Sequence, residues 1–297
     1  MQGVLTAKAK NCIMVMFGGD KQMNIKQKKV LALHDLACFG RSSLVPITSI
    51  LSVQGHQCVP VPTAIFSTHT AINGWTSHDL TQNINPILSH FENLNLKFDA
   101  IYSGFLGCAE QIDCVINSAK LKADNGYFLV DPVMGDNGKV YKTYTPEMTQ
   151  RMSELCHIAD CITPNVTESA ILLGKSPDTA PKDKFEAESW SNTLANMFNT
   201  DVVLTGIHFS DDELTVACTQ DGKTVFFSHE CINAFFPGTG DIFTSVLLGQ
   251  ILCSKSLYES ALCASDFVKH CIIHTANKNP NILYGVEFEP LLSCLIK

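Results

Sequence analysis

A glycine-rich turn precedes a long apolar-periodic helix in the last quarter of the sequence. Residues 237–241 read PGTGD, and the glycines allow a tight turn. The first amides of the following helix lack partners within it and point toward an incoming anion. Asp241 can accept a proton from a substrate hydroxyl, while the amides of Gly238, Thr239 and Gly240 neutralise charge on a γ-phosphate. The turn therefore predicts a base beside an anion hole.

The same turn has a purely structural interpretation. Asp241 can simply cap a helix after a glycine turn. At average composition Gly-x-Gly-Asp occurs by chance in roughly one chain in ten. The motif alone therefore decides little, and other segments must support it.

Two further polar segments follow apolar runs. Residues 131–136, DPVMGD, follow a predicted strand that ends at Val130, and residues 163–168, TPNVTE, follow another and open a helix. Open α/β sheets bind ligands at this edge, where the carboxylates can contact a magnesium nucleotide and Glu168 can act as an outer ligand of Mg²⁺. An ordinary strand exit and a capping pair of Asn165 with Glu168 explain the two segments about equally well.

The order of the predicted elements brings these segments together. Strands alternate with helices along much of the chain, which indicates a parallel sheet covered on both faces. Thr205 follows one more strand, so the polar segments converge on one crevice. A hairpin signal at residues 220–223 predicts an antiparallel carboxyl-terminal edge, and two long helices close the domain. The predicted strands include residues 30–33, 100–102, 127–130, 161–162 and 201–204.

Length and composition limit the classes of function. The 297 residues, 45% of them hydrophobic, suit one domain at residues 29–297, after an extension at residues 1–28 that ends in a basic run. A formal charge of -8 argues against a nucleic-acid partner. The thirteen cysteines form no compact framework, which favours a reducing compartment and hence the cytoplasm. The sequence has no apolar run long enough to span a bilayer, so it predicts no membrane partner.

In this order, the motifs GTGD, DPVMGD and TPNxxE resemble the ribokinase superfamily, specifically its vitamin-kinase branch. Residues 66–70, the turn at residues 103–107 and the region around Asp131 are most similar to pyridoxal and pyridoxamine kinases. The resemblance covers about residues 29–280. It implies a ribokinase-like three-layer αβα sandwich with a mostly parallel central sheet and an antiparallel carboxyl-terminal edge. It also implies phosphorylation of a B6 vitamer.

The resemblance assigns roles to individual residues. It makes Asp241 the base for the 5′-hydroxymethyl group of the substrate and residues 238–240 the anion hole. It implies ATP and Mg²⁺ as cofactors, with a monovalent cation such as K⁺ as a further candidate, and a homodimer. For the nucleotide and its cations, the implied residues are Asp131, Asp136, Thr163, Asn165, Glu168, Thr205 and Thr239.

The substrate side is implied in the same way. The family pattern suggests packing of the pyridine ring by Phe66, a polar contact from Thr70 and an aromatic wall at Phe105. Asp35 is a departure, because many pyridoxal kinases have a serine at this position. A carboxylate could favour a substrate amine, which hints at pyridoxamine. Asp35 could instead face solvent or cap the following loop.

Two other functions remain open from the sequence. A hydroxymethylpyrimidine kinase would have the same fold and use Asp241 in the same way on a different hydroxymethyl heterocycle. A catalytically silent member would bind a vitamer or nucleotide without transferring phosphate, since a fold does not determine a function. The intact glycine turn and Asp241 favour an enzyme.

Overall fold

A computed structural model of the protein describes residues 27–232, 236–278 and 282–296. The extension predicted at residues 1–28 lies outside the described residues except for its last two. One of these, Lys28, donates from Nζ to Asp99 at 2.9 Å, so contacts with the sheet begin no later than residue 28.

The buried apolar runs of the sequence form the strands of a central sheet. The strands are β1 (Lys29–Phe39), β2 (Gln57–Thr68), β3 (Ser77–Asp79), β4 (Phe98–Ser103), β5 (Lys122–Val130), β8 (Cys161–Ile162), β9 (Asp201–Ser210), β10 (Glu213–Gln220) and β11 (Lys223–Glu230). A separate small hairpin consists of β6 (Gly135–Asp136) and β7 (Lys139–Val140).

Most of the sheet is parallel. Within the described residues its order is β11-β10-β9-β8-β5-β4-β1-β2-β3. The six strands from β9 to β2 pair in parallel, whereas β10 and β11 at one edge and β3 at the other are antiparallel. The predicted parallel sheet and antiparallel carboxyl-terminal edge are therefore confirmed.

Helices cover both faces of the sheet. Along β1, Leu31 and Leu33 join one buried cluster while Val30 and Ala32 join the other, because successive side chains alternate across a strand. The first cluster includes α2 (Thr81–Asn93), α3 (Ala109–Ser118), α4 (Pro146–Cys156), α5 (Val166–Leu172) and α6 (Lys184–Phe198). The second includes α1 (Leu44–Val53), α7 (Thr239–Leu252), α8 (Leu257–Lys278) and a carboxyl-terminal 3₁₀ segment (Glu289–Leu295).

Turn chemistry accounts for the hairpins. Asp221 and Gly222 both have positive φ, at 51° and 72°, and connect β10 to β11 where the sequence predicts a hairpin. Asn137 and Gly138 do the same between β6 and β7, at 50° and 74°.

None of the helices in the described ranges is long and apolar enough to cross a membrane.

Candidate active site

The polar segments meet at the carboxyl edge of the parallel strands. Backbone N–H groups at this edge donate to the neighbouring strands or their loops, which fixes the segments relative to one another. The bonds run from Gly104 to Leu33 (3.1 Å), from Asp131 to Ser103 (2.9 Å) and from Thr163 to Val130 (3.1 Å). Thr205 does not follow its strand as predicted, because β9 continues to Ser210; its N–H donates to Pro164 at 3.0 Å.

The glycine turn forms the amino end of α7. Gly238 is the N-cap residue at φ 83°, and Ile242 N donates to its carbonyl at 3.1 Å. Glycine offers no side chain to the first amides of the helix, so those of Thr239 and Gly240 are available to an anion. A Cβ added at Gly240 would meet no atom within 4 Å, so an anion has room to approach there.

Asp241 is held at both carboxylate oxygens. Oδ2 accepts from the backbone N–H of Ser43 at 2.6 Å, and Oδ1 lies 3.1 Å from His34 Nε2. Only 12% of the Asp241 side chain is exposed. The structure therefore places the predicted base in a fixed orientation beside the predicted anion hole.

His34 also contacts the predicted substrate residue Asp35. The distance from His34 Nδ1 to Asp35 Oδ1 is 2.8 Å, and both side chains are buried. Burial would lower the pKa of His34, but the charges of Asp241 and Asp35 outweigh it and raise the pKa to about 10. One Asp35 oxygen is therefore bonded within the protein.

Asp131 and Thr163 meet through Thr244 of α7. Thr244 Oγ1 lies 3.2 Å from Thr163 Oγ1 and 3.4 Å from Asp131 Oδ2. Burial and the charge of Asp241 raise the pKa of Asp131 to about 7. A buried carboxylate next to hydroxyl oxygens and a second carboxylate provides the hard oxygen donors that Mg²⁺ and K⁺ prefer.

Glu168 supports the adjacent backbone. Its Oε2 accepts from Asn165 N at 2.9 Å and Asn165 Oδ1 accepts from Glu168 N at 2.9 Å, so the capping box is complete. Glu168 Oε1 accepts from Met134 N at 3.1 Å. Burial and nearby Asp131 raise the pKa of Glu168 well above its ordinary value. Glu168 thus links the loop after β5 to the start of α5.

Asp136 and Thr205 lie on either side of Asn165. Asn165 Nδ2 donates to the carbonyl of Gly135 at 2.9 Å, which places the β6–β7 hairpin and half-buried Asp136 at this side of the crevice. Thr205 pairs with Asn165 as an isolated parallel bridge. The predicted nucleotide residues therefore share one side of the site.

An aromatic cluster lies next to the turn that packs on His34. The Phe66 ring centroid is 6.0 Å from that of Phe105 and 5.5 Å from that of Trp75, and Phe105 is 6.2 Å from Tyr144. Phe105 follows Gly104, which packs on the His34 ring. Thr70 is exposed in the turn after β2.

Sequence reasoning missed four contributors to this geometry. His34 and Ser43 hold Asp241, Thr244 joins Asp131 to Thr163, and Trp75 extends the aromatic cluster. Thr244 lies three residues after Asp241, a spacing that places both on one helix face, so its position could have been inferred. Ser43 acts through its backbone and leaves no side-chain signal.

Comparisons with known proteins place this geometry in a family. A family model described as phosphomethylpyrimidine kinase matches residues 47–284. The chain belongs to the phosphomethylpyrimidine kinase family. A curated pyridoxal kinase of Dictyostelium discoideum is 27% identical over 258 residues, which cover 78% of this chain and 83% of the relative. The predicted membership of the vitamin-kinase branch of the ribokinase superfamily is confirmed.

Solved structures share the fold. A structure from Bacteroides thetaiotaomicron, described as a phosphomethylpyrimidine kinase and crystallised with pyridoxal, has a TM-score of 0.87 and 33% identity. The match covers 91% of the present chain and 96% of the Bacteroides chain. Pyridoxal kinase from Lactobacillus plantarum has a TM-score of 0.83 at 24% identity, covering 90% and 96% of the two chains. Pyridoxal kinase from Leishmania donovani with ADP and pyridoxamine has a TM-score of 0.81 at 20% identity, covering 91% and 96%.

Proposed function

We propose that this kinase transfers the γ-phosphoryl group of ATP to the 5′-hydroxymethyl group of a B6 vitamer. The observation that carries the proposal is Asp241, held at both oxygens beside the free amides of α7, in a chain 33% identical to a relative crystallised with pyridoxal. Relatives crystallised with ADP support ATP as the donor.

The proposed reaction assigns each proton and bond. Asp241 accepts the proton of the substrate hydroxyl, whose oxygen forms a bond to the γ-phosphorus. The bond from the γ-phosphorus to the bridging oxygen breaks, and its electron pair stays with ADP. The amides of Thr239 and Gly240 stabilise the charge on the transferred group.

We also propose a cation at the nucleotide side. Asp131 and Thr163 would hold it together with phosphate oxygens, and the cation would neutralise phosphate charge. Asp136 would contact the magnesium nucleotide. Glu168 and Asn165 would support the site through the backbone they fix, and Thr205 would contact ATP.

Replacing Asp131 tests the cation proposal. Without added cation, we expect Asp131→Asn to raise the midpoint of thermal unfolding by about 2–4 °C, because it removes a buried negative charge beside Asp241. Adding Mg²⁺, K⁺ and ADP should stabilise the wild type more than the variant. Asp124→Asn, an exposed change, is the control. A midpoint below that of the wild type would contradict the prediction.

The aromatic cluster predicts an optical signal. Trp75 touches Phe66 and is 37% exposed, whereas Trp190 is 3% exposed within α6. We expect pyridoxal to quench the tryptophan fluorescence, and Trp75→Phe to abolish that change while Trp190→Phe keeps it. Quenching that survives Trp75→Phe would place the vitamer elsewhere.

Steady-state kinetics test the same ring contact. Phe66→Ala should raise the KM for the vitamer about tenfold, because the contact between Phe66 and the substrate ring is lost.

Asp35 provides a test of vitamer preference. Its Oδ1 bonds to His34, so the other oxygen is the candidate partner of a substrate amine. We expect Asp35→Ser to lower the ratio of kcat/KM for pyridoxamine to kcat/KM for pyridoxal. Using the ratio cancels any effect that the variant has on both vitamers. An unchanged ratio would remove Asp35 from vitamer selection.

The second candidate is a hydroxymethylpyrimidine kinase, which the description of the matching family favours. The deciding assay offers pyridoxal, pyridoxamine, pyridoxine and hydroxymethylpyrimidine to the purified chain with ATP and Mg²⁺. Turnover of a B6 vitamer supports the proposal. Turnover of hydroxymethylpyrimidine alone would favour the second candidate, and saturable binding without turnover would indicate a silent member.

The proposal includes a homodimer, as the family resemblance implies, and a cytoplasmic location, which the cysteine usage predicts. It includes neither a nucleic-acid nor a membrane partner. Sedimentation equilibrium of the purified chain tests the oligomeric state, and a monomer at micromolar concentration would contradict the dimer.

A further inference from the structure

A buried imidazole lies between two carboxylates at the centre of the site. His34 is 3% exposed, with Nδ1 at 2.8 Å from Asp35 Oδ1 and Nε2 at 3.1 Å from Asp241 Oδ1. The first distance joins residues adjacent on β1, whereas the second joins β1 to α7. The imidazole therefore connects the base to the strand that carries Asp35.

Two groups of Asp35 compete for Nδ1 of His34: Oδ1 at 2.8 Å, which needs a protonated Nδ1, and the backbone N–H at 2.9 Å, which needs an unprotonated one. The contact with the carboxylate is the stronger of the two because its hydrogen bond is charge-assisted. An ionised carboxylate only accepts hydrogen bonds, so we assign a proton to each ring nitrogen that faces a carboxylate oxygen. An imidazole that donates from both nitrogens is an imidazolium. Asp131 adds further negative charge nearby, and Tyr102 contributes only a neutral ring at 6.3 Å. The positive charge of the His34 imidazolium offsets the cost of burying Asp35 and Asp241 together.

The backbone leaves His34 little freedom. A Cβ added at Gly104 would lie 2.0 Å from His34 Cδ2, so the ring occupies the space that a side chain at residue 104 would fill. The opposite oxygen of Asp241 is held by Ser43 N, just before α1. Two groups on the segment from β1 to α1 therefore set the direction of the Asp241 carboxylate.

We propose that His34 is a positioning residue, an imidazolium that bridges Asp35 and Asp241 and aims the base at the substrate hydroxyl. The inference rests on the proposed kinase function. His34 exchanges no proton with substrate; it acts through Asp241. Asp35 acts one step further away by fixing Nδ1.

Steady-state kinetics of two His34 variants test the role. We expect His34→Leu to lower kcat for the vitamer about 10- to 100-fold, because one charge-assisted hydrogen bond to the base is lost. KM should change less than threefold. His34→Gln, which can donate one hydrogen bond, should recover part of the loss. Unchanged kcat in both variants, or a loss confined to KM, would overturn the proposal.

A glycine variant moves the ring without removing it. We expect Gly104→Ala to lower kcat as His34→Leu does, whereas Gly107→Ala in the same turn should not, since its nearest contact would be 3.7 Å away. Adding Gly104→Ala to His34→Leu should lower kcat only slightly further, because both substitutions disrupt the same contact between His34 and Asp241. Fully additive losses would assign Gly104 a separate structural role and overturn this coupling.

Nitrogen NMR tests the charge directly in unliganded protein. A difference spectrum between wild type and His34→Gln should show both imidazole nitrogens protonated at neutral pH. A single protonated nitrogen would overturn the bridge even in an active enzyme. Absence of wild-type turnover on every B6 vitamer would instead reject the proposed function, so the two failures are distinguishable.

Discussion

Asp241→Asn lowers kcat for the vitamer by about 10²- to 10⁴-fold, the range expected when a general base is removed. The amide has nearly the shape of the carboxylate but cannot accept the hydroxyl proton. The amides of Thr239 and Gly240 remain in place, so binding of ATP should persist. Coupled detection of ADP formation measures the rate, and calorimetric titration measures nucleotide binding.

Asp124→Asn serves as the control for Asp241→Asn. Asp124 is exposed on β5, so the same chemical change should leave kcat within twofold of the wild type. Circular dichroism of both variants separates lost chemistry from lost folding. The sequence leaves open that Asp241 caps the helix, but its carboxylate contacts Ser43 N and His34 and no amide of α7. Full activity of Asp241→Asn would show that Asp241 only links α7 to these two residues.

The sheet could be predicted because its strands are buried on both faces. Such strands read as short continuous apolar runs, and helices between them follow a different period. The predicted strand at residues 127–130 extends in fact from Lys122 to Val130, since solvated strand ends lack the apolar signal. The edge strand β3 is three exposed residues long and has no apolar pattern at all.

The convergence of the site could be predicted for the same reason. The carboxyl ends of parallel strands meet at one edge, so Asp131 and Thr163, which directly follow β5 and β8, had to lie near one another. The detailed bonding could not be predicted. Both the capping and the ligand interpretations of Glu168 were open, and the structure shows that each of its oxygens accepts a backbone N–H.

The pairing of His34 with Asp35 conflicts with simple strand alternation. Successive side chains in a regular strand point to opposite faces, so only one of the two would be expected at the site. The register of β1 against β2 shifts between His34 and Leu36, and this irregularity allows both side chains to be buried. A bulge of this kind has no signal in residue type, which is why the contact of His34 with Asp241 was missed.

Gly238→Ala should reduce both stability and activity. At φ 83° an alanine is strained by about 1–2 kcal/mol, and its Cβ would lie 2.1 Å from the carbonyl oxygen of Arg41. Because the contact is with backbone, the glycine turn must move to relieve it. We expect a total loss of about 3 kcal/mol in the free energy of unfolding and a kcat at least tenfold lower, since displaced amides no longer face the phosphate.

Gly222→Ala separates the two causes of this loss. Gly222 has a similar φ of 72° in the β10–β11 turn, but an added Cβ would meet nothing within 4 Å. In denaturant titration, Gly222→Ala should therefore lose only the part of the unfolding free energy that comes from the positive φ. Its kcat should be unchanged. Equal losses of stability in the two variants would mean that the contact with Arg41 is relieved without cost. In that case the loop at residues 40–43, which also presents Ser43 N to Asp241, would be free to shift with the turn.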